Sequence, residues 1–239
     1  MTIYSAMPRF FALLPAAGVG ARMGAECPKQ YLPLAGHTML WHAINAFERA
    51  AAVERTYVVL SPEDAYWDGH DWSALDKLKV LRCGGATRAE SVLNGLHSIA
   101  GEVAGEDWIL VHDAARPCLR HQDLRLLLDS LPHSPQGALL AVPVADTLKR
   151  AEDGHASGTV EREGLWRALT PQAFPLDALL AALEAARARN LAITDEASAM
   201  EWQGWRPRLI HGHGDNIKVT LQDDLMLAAA ILAAREGEG

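Results

Sequence analysis

Short apolar runs alternate along this chain with longer stretches of helical period. Phe10–Leu14, Thr56–Leu60, Leu78–Arg82, Trp108–Val111, Ala138–Val142 and Arg208–Ile210 read as strands. Brief apolar runs bounded by turn residues fit a sheet buried on both faces. Between them, Leu40, Ile44, Phe47 and Ala51 recur on one helical face. Thr87 and Glu90 form a capping box ahead of Val92, Leu93, Leu96 and Ile99, a helix start. An Ala/Leu-rich helix spans Leu176–Arg189 and stops at Asn190, and Thr220 with Asp223 caps a last helix running to about Ala234. The alternation predicts an α/β fold of three layers, a mostly parallel sheet between helices, in a single domain over 1–239. Ligands of such sheets sit at the carboxyl ends of the strands.

One segment breaks the pattern. Val144–Leu169 has polar ends, a central "EDGHASG" turn cluster, and flanks able to pair as a hairpin. It reads as a β-arm projecting from the domain, with a solvated surface loop as the alternative.

Composition narrows the class. Hydrophobic residues make up 49% of 239 and charged residues 22%, enough apolar material for a substantial core. The net charge of −8 argues against a general nucleic-acid surface. No apolar run is long enough for a membrane span. Cys27, Cys83 and Cys118 are far apart in sequence, which points to reduced thiols in a cytoplasmic protein.

The candidate chemistry starts directly after the first strand, in "LPAAGVGARMGAECPKQ". Gly18, Gly20 and Gly24 make a small-residue turn, and glycines let main-chain N–H groups approach a phosphate chain. Arg22 and Lys29 follow and can neutralise that chain. The spacing is neither the dinucleotide fingerprint nor a P-loop. The segment therefore reads as a nucleoside triphosphate site of another kind.

Further groups fall at the same sheet edge. "GGATRAESV" places Arg88 and Ser91 at a helix start, a position for reading an anion or a base. "VHDAARP" puts Asp113 just past a strand, where it can bind a ribose hydroxyl, contact a metal or hold Arg116. "DNIKVT" presents Lys218 before a helix. His211 and His213 stand two apart with no third ligand, so no protein metal site is expected. Trp41, Trp166, Trp202 and Trp205 are assigned to packing rather than base stacking.

With "PAAGVGARMG", "PKQYL", "GGATRAESV", "VHDAARP", "PVADTLKRA", "TVEREGLWRALTPQAF", "TDEASAMEWQG" and "DNIKVT" in this order, the chain resembles the 2-C-methyl-D-erythritol 4-phosphate cytidylyltransferase family from about Phe10 to Ala234. The resemblance implies a Rossmann-like nucleotidyltransferase fold and a homodimer joined through the β-arm. It implies transfer of a cytidylyl group from CTP to methylerythritol phosphate, releasing pyrophosphate, with Mg²⁺ held mainly by the CTP phosphates. By the same resemblance Pro15, Ala16, Ala17, Gly18 and Gly20 wrap CTP, and Arg22 and Lys29 stabilise the transition state. Gly85, Arg88 and Ser91 fall in the base-reading segment, and Asp113 and Ala114 in the ribose region with Arg116 close by. Thr147, Arg162 and Thr170 receive the methylerythritol phosphate, Thr147 and Arg162 by reaching into the neighbouring subunit's site. Lys218 positions the substrate phosphate, with Asp215 beside it. One departure stands out: Ala86 follows "GG" where an acidic residue is expected.

The nearest alternative is a cytidylyltransferase for another polyol phosphate, such as ribitol 5-phosphate. A nicotinamide-dependent dehydrogenase is disfavoured by the loop spacing. It also lacks an acidic residue about 20 positions further on at a second strand end. A non-catalytic nucleotide sensor would have little use for Arg22, Lys29, Arg162 and Lys218 together.

Overall fold

The computed structural model describes residues 8–18 and 27–236. Gly20, Arg22 and Gly24 lie outside the described residues.

Strand β1 (Phe10–Pro15) is apolar along its length and sits inside the main sheet. A tight hairpin, β2 (Pro33–Leu34) and β3 (His37–Thr38), leads into α1 (Met39–Glu48). Thr38 caps α1 by accepting the Trp41 N–H at 3.1 Å. β4 (Val53–Val59) and β5 (Leu78–Leu81) then add in parallel on one side of β1. Helix α2 (Arg88–Ile99) carries the chain back, and β6 (Trp108–Val111) pairs in parallel with the other side of β1. This reversal between β1 and β6 is a topological switch point, where the strand ends leave a crevice.

Helix α3 (His121–Ser130) leads to β7 (Ala138–Pro143), followed by the hairpin β8 (Leu148–Glu152) and β9 (His155–Val160). Strand β10 (Trp166–Pro175) runs antiparallel between β6 and β7. Helices α4 (Leu176–Ala188) and α5 (Glu196–Trp202), strand β11 (Arg208–His211) parallel to β7, and α6 (Gln222–Glu236) complete the chain. The seven-stranded order is β11-β7-β10-β6-β1-β4-β5.

The two faces of β1 show why the sheet is sandwiched. Ala12 and Leu14 pack with Leu40, Ile44 and Phe47 of α1 and Leu124 and Leu127 of α3. Phe11 and Leu13 point the other way, onto Val92, Leu96 and Ile99 of α2 and Leu179 and Leu183 of α4. Successive side chains of a strand face opposite sides, so a continuous apolar run feeds two cores.

Five expectations change. The run Trp166–Pro175 is a seventh strand, absent from the sequence reading and antiparallel within the mostly parallel sheet. Pro171 lies in its register break between Ala168 and Gln172, where a missing N–H disturbs no ladder. The arm is accordingly shorter than Val144–Leu169. Val144 N–H donates to Leu165 O at 3.0 Å, and Trp166 onward belongs to the main sheet. At the last helix, Asp224 rather than Asp223 closes the start, its Oδ2 accepting from Thr220 N–H, Thr220 O–H and Leu221 N–H at 2.8 Å each. Ala51 lies beyond the end of α1 and is exposed. Trp202 is 61% exposed, so it is not the packing residue expected.

The hairpin forms as its sequence predicts. Asp153 and Gly154 both adopt positive φ, 49° and 78°, the geometry of a two-residue turn between antiparallel strands. Nearly every residue of β8 and β9 is exposed.

Candidate active site

A cleft of about 670 Å³ opens at the carboxyl ends of β1 and β6. Pro15–Gly18 form one wall, Gly85–Arg88 and Ser91 a second, and Asp113–Ala115 the floor, with Lys29, Lys218 and Thr220 at the rim. Two of these walls touch. A Cβ on Gly84 would stand 2.2 Å from the Ala17 Cβ and 2.8 Å from Leu60 O, so only glycine permits this approach. Gln30, buried behind the first wall, donates from Nε2 to Ala16 O at 2.8 Å and holds the Pro15–Gly18 backbone in place.

Asp113 is the electrostatic centre. Its Oδ1 receives Arg88 Nε at 2.7 Å, and its Oδ2 lies 2.8 Å from Lys218 Nζ and 3.6 Å from Arg116 Nε. Burial alone would raise the Asp113 carboxyl, but these cations outweigh it and hold it well below the usual carboxylate range. The other side of the Arg88 guanidinium makes a two-point contact with Glu196, at 2.7 and 3.0 Å. Glu196 is 1% exposed. Burial works against the charge on Arg88, yet Glu196 and Asp113 more than offset it and raise its pKa. Arg88 therefore lines the cleft with its guanidinium committed to two carboxylates, which limits its role in reading a base.

Beneath Asp113 lies a second set of hydrogen bonds. His112, fully buried, contacts Arg116 O through Nε2 at 3.0 Å. A carbonyl only accepts, so Nε2 carries the proton and Nδ1 is bare. Nδ1 lies 2.9 Å from Thr170 Oγ1, whose hydroxyl therefore donates to it. The same Oγ1 accepts Asp113 N–H at 3.1 Å. Burial pushes the His112 imidazole down to about 4, in keeping with a neutral ring. The Asn216 side chain donates from Nδ2 to Thr170 O at 2.8 Å, and its main-chain carbonyl accepts from Arg116 Nη1 at 2.7 Å.

The cleft thus unites Pro15, Ala16, Ala17, Gly18, Lys29, Gly85, Arg88, Ser91, Asp113, Ala114 and Lys218. Ser91 Oγ accepts Gly85 N–H at 3.1 Å and donates to Thr87 O at 2.9 Å, so it shapes the loop. Lys29 Nζ donates to Val219 O at 3.0 Å, tying the rim to the segment before α6.

Other predicted residues stand elsewhere. Thr170 and Arg116 are behind the cleft wall, supporting Asp113. Asp215 faces away, paired with Arg120 at 2.5 Å and Arg235 at 2.8 Å. Thr147 and Arg162 are exposed on the arm, where Arg162 Nη1 donates to Ala145 O, and neither lines the cleft of its own chain. Ala86, the departure after "GG", lines the cleft and is exposed. His213 Nδ1 bonds Asp123 at 2.6 Å, and His211 packs edge-on against Trp166.

Sequence reasoning missed Glu196, Gln30, His112 and Asn216. The signal for Glu196 was faint: an acidic residue following Asp195, whose side chain caps α5 by accepting Ser198 N–H at 2.9 Å. Gln172 of β10 positions that turn by donating to Asp195 at 2.8 Å and accepting Ala197 N–H at 2.8 Å.

A Rossmann-like sheet with a glycine-walled, cation-rimmed cleft at its switch point defines a nucleotidyltransferase. A model of the 2-C-methyl-D-erythritol 4-phosphate cytidylyltransferase family matches residues 10–234, and the chain belongs to that family. An enzyme of that name from Acidithiobacillus ferrooxidans is 60% identical over 239 residues, covering 98% of this chain and 100% of its relative. Another from Dechloromonas aromatica is 52% identical over 232 residues, 96% of this chain and 100% of the relative. A crystal structure of a 4-diphosphocytidyl-2C-methyl-D-erythritol synthase matches with a TM-score of 0.84 at 44% identity, over 95% of this chain and 100% of that one. The Francisella tularensis 2-C-methyl-D-erythritol 4-phosphate cytidylyltransferase matches with a TM-score of 0.81 at 33% identity, over 93% and 99%. The chain is a cytidylyltransferase enzyme.

Proposed function

We propose that this cleft binds CTP beside 2-C-methyl-D-erythritol 4-phosphate and transfers the cytidylyl group between them, giving CDP-methylerythritol and pyrophosphate in the non-mevalonate isoprenoid pathway. The observation that carries the residue assignment is the meeting of Arg88 and Lys218 on Asp113, with Lys29 on the same rim. Family membership favours methylerythritol phosphate over ribitol 5-phosphate as the acceptor.

In the reaction a phosphate oxygen of methylerythritol phosphate attacks the α-phosphorus of CTP, and the bond to the bridging oxygen of pyrophosphate breaks. The nucleophile is already ionised near neutral pH, so no general base is required. Buried, hydrogen-bonded His112 therefore needs no proton-transfer role. The barrier comes from bringing two anions together, and positioning with charge stabilisation lowers it. Lys29 and Arg22 stabilise charge developing on the transferring group. Lys218 anchors the acceptor phosphate. Asp113, with its charge balanced by cations, is placed to accept from a ribose hydroxyl. Ala86 leaves base reading to the main chain around Gly85 and Thr87.

Among the described residues no three His, Cys, Asp or Glu side chains are grouped to hold a metal. Asp113 is the one carboxylate among the described lining residues. That donor set fits Mg²⁺ bound chiefly through substrate phosphates, with at most one protein carboxylate. Bound in this way, Mg²⁺ would supply positive charge to offset the negative charge of the pyrophosphate.

The arm belongs to the same reading. A lone two-stranded hairpin is marginal in water, yet β8–β9 stands exposed with Thr147 and Arg162 nearby. Docking on a second copy would cover it and bring Thr147 and Arg162 to the partner's cleft, making an isologous homodimer. Among the described residues no helix is long and apolar enough to cross a membrane, and Cys27, Cys83 and Cys118 are free thiols. A cytoplasmic location agrees with both.

The test is pyrophosphate release measured with CTP, UTP, ATP and GTP, each with methylerythritol phosphate and with ribitol 5-phosphate. Mg²⁺-dependent release is expected for CTP with methylerythritol phosphate alone. Equal turnover with ribitol 5-phosphate would overturn the acceptor assignment.

A further inference from the structure

On the far side of α1 lies a second cleft of about 490 Å³ that the reaction does not use. It is bounded by the β2–β3 turn, the solvent-facing side of α1, the start of α3 and the end of α6. Its chemistry is one-sided. His37, His42, Arg49, His121 and Arg235 line it, and no acidic residue does so among the described residues. The exposed Arg49 side chain meets no carboxylate among the described residues. Arg235 donates from Nη1 to Cys118 O at 3.0 Å and forms an ion pair with Asp215 at 2.8 Å, but neither its buried Nε nor its buried Nη2 makes a hydrogen bond. A buried donor without a partner is uncommon in a folded protein and calls for an explanation.

The cleft also carries a flat wall. The His37 ring lies on Trp41 with centroids 3.7 Å apart and planes 9° from parallel. His42 meets both edge-on, at 82° and 84°. Its Nε2 donates to Leu34 O at 2.7 Å, which fixes that ring in place. The turn presenting His37 holds Ala35 at φ 42°, a conformation costly for a residue with a Cβ.

We propose that this cleft is a binding site for an anion of nucleoside-phosphate size. The phosphate would lie among Arg49, Arg235 and His121, and a flat ring would pack on the His37–Trp41 wall. Guanidinium and imidazole N–H groups supply charge-assisted donors to phosphate oxygens. Stacked aromatic surfaces accept a further planar ring. The volume exceeds what inorganic phosphate alone would fill and lies within the range of small-molecule sites. The site is separate from the CTP cleft, and among the described residues none lines both.

The experiment titrates the full-length protein with AMP, adenosine and inorganic phosphate. Calorimetry gives affinity, and the imidazole NMR signals of His37, His42 and His121 give location. Saturable AMP binding that shifts these three rings is expected. Arg49→Glu and His37→Ala, both at exposed positions, should each weaken it by about tenfold or more. Both variants should keep the wild-type kcat and the KM for CTP, and Lys29→Ala should keep the AMP affinity. The proposal is overturned if AMP does not saturate at millimolar concentration, or if both Arg49→Glu and His37→Ala bind it normally. It is also overturned if Lys29→Ala abolishes binding, which would place AMP in the CTP cleft. Adenosine binding as tightly as AMP would remove the anion from the account, and inorganic phosphate binding as tightly would remove the ring.

Discussion

Arg88 Nε stands 2.7 Å from Asp113 Oδ1, joining the first turn of α2 to the end of β6 across the floor of the cleft. The pair is not closed on itself. Glu196, far along the chain on α5, takes the rest of the guanidinium. The result is a carboxylate–guanidinium–carboxylate row in which both acids are buried and the inner one, Asp113, lines the cleft.

Removing the outer acid should be costly. In Glu196→Ala, Arg88 stays largely buried with one carboxylate instead of two. Stability should fall by about 3 kcal/mol, the low end for orphaning a buried charge, because Asp113 still faces it. Urea unfolding is the measurement, with the midpoint lowered and the slope unchanged. An unchanged midpoint would mean that Glu196 contributes little to holding Arg88.

His112 predicts a pH dependence of stability. Its folded pKa, about 4, lies below the ordinary histidine value of 6.5. Between these values the unfolded chain binds more protons, so stability is present above about pH 6.5 and is lost as pH falls towards about 4. The loss across that window is roughly 3 kcal/mol. His112→Gln should flatten this part of the profile. A variant that keeps the wild-type slope would assign the dependence to other groups.

The two rim lysines should separate kinetically. Lys29→Ala should lower kcat by about 10²-fold or more, as expected for loss of a preorganised charge in the transition state. Lys218→Ala should raise KM for methylerythritol phosphate more than KM for CTP. Equal effects on both KM values would move Lys218 from the acceptor phosphate to the nucleotide.

What was legible in the sequence followed from local signals. Phe10–Pro15 and Trp108–Val111 are continuous apolar runs, and each forms a core strand. The Thr87–Glu90 capping box and the Asp153–Gly154 turn were equally readable, because the residues that make them are neighbours in sequence. Strand β10 was not. It carries Thr170, Pro171 and Gln172 in its middle, which look like a loop. Those polar groups are buried for reasons that lie elsewhere in the chain: Thr170 bonds Asp113 N–H, and Gln172 fixes the start of α5. Glu196 was hidden in the same way, because an acidic residue in a first helical turn ordinarily signals a favourable helix dipole. Its partner is separated by 108 positions. Thr147 and Arg162 were readable as arm residues, but their proposed place in a partner's cleft depends on a second copy of the chain.

That second copy yields a further prediction. If the arm completes the partner's cleft, mixing inactive Lys29→Ala with inactive Arg162→Ala should restore activity. A mixed dimer would hold one site with both lesions and one with none. Free exchange makes about half of the dimers mixed, so activity near a quarter of wild type is expected. No recovery despite proven exchange would confine Arg162 to its own subunit or remove it from the site.

In the proposed reaction the acceptor phosphate attacks the α-phosphorus of CTP in this cleft. The direct measurement is ³¹P NMR of the reaction run with CTP carrying ¹⁸O in the α–β bridge. New diphosphate signals from CDP-methylerythritol are expected, with the label leaving in pyrophosphate, and both should be lost in Lys29→Ala. Formation of CDP and inorganic phosphate, or retention of the bridging label in the cytidylyl product, would contradict it.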